Sequence, residues 1–238
     1  MIQFHDRRHA GRVLAAHLRR YAGDHHLLVL ALPRGGVPVA FEVAQSLGAP
    51  LDILVVRKLG VPGHPELAMG AIAGGNVRLL NRDVVRGLRV EGIAIDRVLA
   101  AERHELRRRE RAYRGGRPAP DVAGRTVILV DDGLATGSTM LAAVTAAQRQ
   151  HAGRVVVAVP VASEEARDEL AAVADEVVAV LVPPAFGGVG FWYEDFSQTS
   201  DGEVRALLAA AWGGPPGELP PAATTVGQAH ADRPEGRP

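Results

Sequence analysis

Residues 126–140 run Thr-Val-Ile-Leu-Val-Asp-Asp-Gly-Leu-Ala-Thr-Gly-Ser-Thr-Met, and no other stretch of the chain restricts its fold as tightly. The apolar run from Val127 to Val130 reads as a strand buried on both faces, as inner strands of a parallel sheet are. Asp131 and Asp132 fall at its carboxyl end, the edge where open α/β sheets hold ligands. The loop at 133–139 is small and hydroxyl-rich, and it leads into good helix formers running to Gln148, with Ser138 or Thr139 as the expected N-cap. Backbone amides at such a helix start, joined by the hydroxyls of Thr136, Ser138 and Thr139, suit a phosphate dianion. Two carboxylates beside that cradle suit a sugar diol or a divalent cation. The plain alternative is a strand, loop and helix that merely carries acids on its rim.

The known phosphate loops differ in spacing. A Walker loop needs a lysine after its second glycine, and Gly137 is followed by Ser138; the dinucleotide pattern Gly-x-Gly-x-x-Gly is absent. What fits is an apolar run, two acids and Thr-Gly-x-Thr. That order closely resembles the phosphoribosyl pyrophosphate (PRPP) signature of the type I phosphoribosyltransferases.

Composition excludes several other classes. The chain has 238 residues, ample for a buried core, and is 47% hydrophobic without an apolar run long enough to span a membrane. Residues 1–8 lack the apolar core of an export signal, and cysteine is absent, which removes disulfide and thiol chemistry. A cytoplasmic setting is expected. The formal net charge of zero gives no global electrostatic case for nucleic acid. Lys58 is the one lysine among 27 basic residues, so this position stands out as one that kept an ammonium where arginine serves elsewhere.

The remaining chain alternates strands and helices. Residues 4–23 hold a helix with Asp6 as a cap candidate, and 27–32 hold a strand. The His25-His26 pair before that strand lacks a third ligand at metal spacing and reads as a solvated turn. Pro33-Arg34-Gly35-Gly36 follows, either an ordinary glycine turn or a place where backbone approaches a ligand with Arg34 supplying charge. A second strand is expected over 50–57, then a loop over 59–65 rich in Gly and Pro, then a hairpin of 66–73 with 76–80. Residues 81–114 read as helical, ending in a cluster of arginines that is either a solvated face or an anion- or partner-binding surface. Two further strands, 154–159 and 176–182, flank a helix capped at Ser163, and Thr199-Ser200-Asp201 caps a last helix to about Trp212. Residues 213–238 lack an apolar period and are expected to be a disordered tail.

The alternation predicts an α/β fold with a parallel sheet core flanked by helices. The resemblance, which covers about residues 25–200, implies a phosphoribosyltransferase core at 25–182 within a single domain, 1–212. A small hood would be made of N-terminal and 183–212 segments. It implies Mg²⁺-dependent transfer of the phosphoribosyl group from PRPP to a nitrogen nucleophile, a nucleobase of purine salvage, with release of pyrophosphate. Asp131 and Asp132 would hold the ribose hydroxyls and the metal, and Ala135, Thr136, Gly137, Ser138 and Thr139 the 5′-phosphate. Arg34, Gly35 and Gly36, whose peptide geometry is unusual in the family, would meet the pyrophosphate together with Arg57. The segment after the second strand would be a mobile lid with Lys58 at its base. Ala135 stands where hypoxanthine–guanine members carry Asp, so the acid/base role passes to a lid residue, Glu66, with His64 second. In residues 186–196 the resemblance assigns Phe191 or Trp192 to stacking on the acceptor and Glu194 to the metal side; the alternative is a small aromatic core. The resemblance is compatible with a homodimer and implies no membrane partner. A regulatory protein that binds PRPP or a nucleotide without turnover is the second reading.

Overall fold

The computed structural model describes residues 3–75 and 77–213. In chain order the first half contains α1 (Arg7–His17), β1 (Leu27–Ala31), α2 (Gly36–Leu47), β2 (Leu51–Ile53), β3 (Val56–Val61), β4 (His64–Ala73) and β5 (Val77–Leu80). Then come α3 (Arg82–Gly87), α4 (Gly92–Arg114), β6 (Thr126–Val130), α5 (Ser138–Arg149), β7 (Arg154–Val161), α6 (Glu164–Ala171), β8 (Glu176–Leu181) and α7 (Asp201–Ala211). Beyond Gly213 the expected tail lies outside the described residues.

β1 is apolar throughout and buried throughout, so it needs cover on both faces. It lies inside a five-stranded parallel sheet of order β2-β1-β6-β7-β8. Alternate residues feed two separate cores, as the period of two requires. Val29, Ala31, Ile128 and Val130 join Leu14, Val43 and Leu207 of α1, α2 and α7. Leu28, Leu30, Val127 and Leu129 join Met140, Val144 and Leu170 of α5 and α6 on the other side. The sheet is therefore the middle layer of three.

A second sheet, antiparallel and of order β3-β4-β5, corrects the expectation for 50–65. The chain leaves the parallel sheet after Leu54, whose amide still donates to Ala31 O, and starts a new strand at Val56. An unbroken apolar run cannot distinguish one strand from two in different sheets. The supposed loop is largely hairpin: Val61 pairs with His64 around a two-residue Pro62-Gly63 turn, with Gly63 at φ +81° as a type II turn requires. Register shifts on either side of Gly60 mark an irregular ladder near the tip. The β4–β5 hairpin falls where the sequence placed it.

Side chains occupy the outward edge of β2. Asp52 Oδ1 accepts from the Ile53 amide at 2.6 Å, Arg114 Nη2 donates to Ile53 O at 2.6 Å, and Trp212 Nε1 donates to Leu51 O at 2.8 Å. Arg114 is itself buried and paired with Asp52 at 2.8 Å. No helix among the described residues is long and apolar enough to cross a membrane.

Candidate active site

The strand order reverses direction between β1 and β6: the chain steps from β1 outward to β2, then returns to the other side of β1. A crevice opens beyond the carboxyl ends at such a switch point. The Pro33–Gly36 turn follows β1, and Asp131 and Asp132 follow β6, so the two motifs meet there. Their contact is close. A Cβ on Gly35 would stand 2.0 Å from Asp132 Oδ2, and one on Gly36 would stand 2.6 Å from Val130 O. Only glycine lets these backbones lie together. The Pro33–Arg34 peptide bond is cis. Arg34 reaches across to Asp201, at the start of α7, at 3.7 Å, and Tyr113 donates to the same carboxylate at 2.8 Å.

The loop at 133–139 is pinned from below and open above. Leu134 N donates to Val161 O at 2.9 Å, Ser163 N to Leu134 O at 2.9 Å, and the Ser163 hydroxyl to Ala135 O at 2.7 Å. Leu134 and Gly137 are buried while Ala135, Thr136, Ser138 and Thr139 are exposed, so the hydroxyls stay available to a ligand. The N-cap of α5 is Gly137, at φ +69°, rather than Ser138 or Thr139. Its left-handed backbone starts the helix without a side-chain cap, and Thr136 and Ser138 hydroxyls lie 3.2 Å apart.

The acids are shielded. Asp131 Oδ1 accepts the Asp132 amide at 2.9 Å; burial, and then the neighbouring Asp132 charge, pushes its carboxyl well above the usual range. Burial also raises Asp132, opposed by the Arg7 guanidinium at 2.8 Å. The Tyr193 hydroxyl donates to Asp132 O at 2.6 Å, and burial pushes its phenol pKa up. Among the described residues no group of three or more His, Asp or Glu side chains stands ready for a metal.

The lid residues divide between the two faces of β3. Lys58 shares a cavity of about 300 Å³ with Ser138, Thr139, Val56, Leu79 and Leu141, and its Nζ donates to Glu66 O at 3.0 Å. Arg57 is expected at PRPP, but its side chain points the other way and pairs with Glu102 of α4 at 2.7 Å. Consecutive strand residues face opposite sides, so the two cations cannot both serve the cavity. Glu66 and His64 are exposed near the hairpin tip. In the hood, Trp192 is buried against Phe4 and Tyr193 and donates to Phe186 O at 3.0 Å, so it is core rather than a free stacking face. Phe191 beside it is 75% exposed, and Glu194 is exposed with its carboxylate 3.5 Å from His5.

Sequence reasoning missed Arg7, Tyr193, Ser163 and Asp201. As parts of helix caps, Ser163 and Asp201 give no hint in sequence of their second partners. Arg7 and Asp132 are 125 positions apart, and only the need of a buried acid for a cation hinted at such a partner.

Comparison with known proteins agrees with this geometry. The chain is 51% identical over 208 residues to a "Putative phosphoribosyl transferase" of Mycobacterium tuberculosis, in strains H37Rv and CDC 1551, covering 87% of this chain and 47% of each relative. The chain thus spans about half the length of those curated relatives. The crystal structure of TT1426 from Thermus thermophilus superposes with a TM-score of 0.76 at 47% identity, over 87% of this chain and 97% of that one. The model of the phosphoribosyl transferase domain matches residues 3–194, and the chain belongs to that family.

Proposed function

We propose that this protein transfers the phosphoribosyl group of PRPP to a nitrogen nucleophile, a nucleobase by the family's habit. The C1–O bond to pyrophosphate breaks, a C1–N bond forms, and the nitrogen's proton leaves to a base. The observation that supports this best is the meeting of the Gly35-Gly36 backbone with the acid pair at the switch point, beside an open hydroxyl loop.

The exposed hydroxyls of Thr136, Ser138 and Thr139 and the amides at the start of α5 take the 5′-phosphate. Asp132 accepts from the ribose diol. The Gly36 amide is taken by Leu32 O, so it is Arg34 and the Gly35 amide that meet the departing pyrophosphate, where fixed donors stabilise developing charge. Two carboxylates make too few ligands for a metal cage but fit Mg²⁺, which takes one or two carboxylates and completes its shell with substrate phosphates and water. When bound, that ion would neutralise the diphosphate. Lys58, on the wall shared with Ser138 and Thr139, adds a cation as the hairpin closes. Phe191, exposed in the hood, is the remaining aromatic candidate for the acceptor.

A second reading, a protein that binds PRPP without turnover, draws on the engagement of Asp132 by Arg7 and of Lys58 by Glu66 O. One experiment separates the two: purified protein with PRPP and MgCl₂, a panel of nucleobases and amines, and pyrophosphate as the readout. Calorimetry of wild type against Asp132→Asn accompanies it. Loss of one charge-assisted hydrogen bond should weaken PRPP binding about ten- to hundredfold. Binding without pyrophosphate release from any acceptor favours the regulator. Unchanged affinity in the variant would remove Asp132 from the diol.

A further inference from the structure

Arg7, the first residue of α1, brings a side chain to the acid pair that none of the steps above uses. Its Nε donates to Asp132 Oδ2 at 2.8 Å, with 12% of the arginine side chain and 15% of the aspartate exposed. Nη1 donates to Ser197 O at 2.6 Å. The guanidinium carbon lies 4.0 Å from the centroid of the Phe196 ring and 6.0 Å from that of Tyr193. Tyr193 in turn holds Asp132 through its main-chain carbonyl at 2.6 Å. From the far side Gly35 closes on Oδ2, and the Asp132 amide is bound to Asp131. The main chain of Asp132 is thus held by Tyr193 and Asp131, and its carboxylate by Arg7 and the close approach of Gly35.

The pairing is single rather than forked. Arg7 takes Oδ2 alone, and no side-chain donor among the described residues reaches Asp132 Oδ1. An arginine bound side-on through Nε, with its fork turned to Ser197, leaves one oxygen to accept from a hydroxyl. This pair is not the only anchor of its helix. Helix α1 is already docked by Asp6, which caps it, by Arg8 paired with buried Glu42 at 2.6 Å, and by Leu14 and Leu18, both fully buried. Gly11 packs so closely on α2 that a Cβ would stand 2.6 Å from Val39 O. A largely buried ion pair adds little net stability, because desolvating both charges opposes their attraction, yet removing one partner alone leaves the other charge buried and uncompensated.

We infer that Arg7 is a positioning residue for phosphoribosyl binding: seated on Phe196 and Ser197, it holds Oδ2 of Asp132 so that Oδ1 is presented to the ribose diol. The inference rests on the PRPP reading given above.

The test uses the full chain with Arg7→Gln, Arg7→Lys and, as a control on the same helix, Arg8→Gln. Calorimetry with PRPP and MgCl₂ is paired with thermal melting. The expected result is that Arg7→Gln, measured well below its melting temperature, weakens PRPP binding about tenfold or more, the loss of one oriented charge-assisted contact, and also melts earlier, because Asp132 is left buried without its cation. Arg7→Lys should recover part of the affinity, since an ammonium can hold one oxygen but cannot lie flat on Phe196. Arg8→Gln should melt earlier and bind PRPP normally when folded. Wild-type affinity in Arg7→Gln overturns the inference, and so does tighter binding, which would make Arg7 a latch that PRPP displaces. If Arg7→Gln does not fold, Arg7→Lys decides: affinity lost in step with melting temperature makes the residue structural. A wild-type protein that does not bind PRPP overturns the underlying reading as well, and so is distinguishable from failure of the Arg7 role alone.

Discussion

The two sheets carry the two groups of proposed PRPP ligands and are built in opposite ways. The centre of the parallel sheet is sealed: every residue of β1, and Val127 to Val130 of β6, is buried between helical layers. The antiparallel sheet is an arm. Leu59 and Met69 anchor it in the core, yet Lys58, His64, Glu66 and Leu67 stand in solvent toward its tip, and its ladder shifts register around Gly60. Groups that must keep their geometry, the acid pair and the glycine turn, end the sealed sheet. The candidate for arriving late, Lys58, rides on the arm. Preorganised charge and a closing element make different demands on stability, and the proposed roles would fall on different sheets.

The largest effect that would sharpen this contrast is in the core. Leu129→Ala in β6 should cost about 2–5 kcal/mol of unfolding free energy, as deletions at fully buried leucines do. Leu67→Ala on the arm, where 46% of the residue is exposed, should stay within about 0.5 kcal/mol. Chemical denaturation of both variants checks this; similar losses would mean that the arm is as integral as the sheet.

Function should show the reverse. Lys58→Ala is expected to lower pyrophosphate release at least about tenfold, roughly 1.4 kcal/mol of lost transition-state stabilisation, with an unchanged melting temperature. An equal fall in activity and stability would assign Lys58 to holding the hairpin through Glu66 O.

The smallest effect lies on the helix behind the arm. Glu105 accepts from Arg108 and Arg109, which lowers its pKa from 4.5 to about 2. A depressed carboxyl contributes stability that is complete above about pH 4.5 and is lost as pH falls toward 2. These pairs sit at the surface, so the contribution is about 0.3–0.5 kcal/mol each and fades with salt. Glu105→Gln should therefore narrow the stability difference between pH 5 and pH 3 slightly in dilute buffer and leave it unchanged in 1 M NaCl. A large effect would mean that α4 governs the arm's attachment.

How far the sequence could be read follows the same division. β1, β6 and most of β7 are apolar runs followed by Pro33, by Asp131 and by Ala162-Ser163, and a buried parallel strand leaves that trace whatever surrounds it. The acid pair and the hydroxyl loop were legible because strand, carboxylates and helix start are contiguous. The tip of the arm was not. Gly60, Pro62 and Gly63 look like turn chemistry throughout 59–65, and only pairing across the hairpin makes Leu59 to Val61 strand. A Cβ on Gly70 would stand 2.1 Å from Leu79 O, so that glycine marks a close backbone approach rather than a bend. That Arg57 faces Glu102 was hidden for lack of a known strand phase, and that Trp192 packs on Phe4 because an aromatic cluster reads the same whether it faces a ligand or a core. Arg7 was invisible, since its partner is set by how α1 docks on the sheet.

The bonds that clothe β2 have a consequence for life in a crowded solution. A sheet whose border strand presents bare amides and carbonyls is a template on which another chain can extend it. Here both outward carbonyls are claimed, one by Arg114 and one by Trp212, and the Ile53 amide is claimed by its neighbour Asp52. The border thus refuses a guest strand although it is short and lies at the rim. The guard at Leu51 comes from the last turn of the described chain, so a copy cut ahead of Trp212 would bare the Leu51 carbonyl at that border.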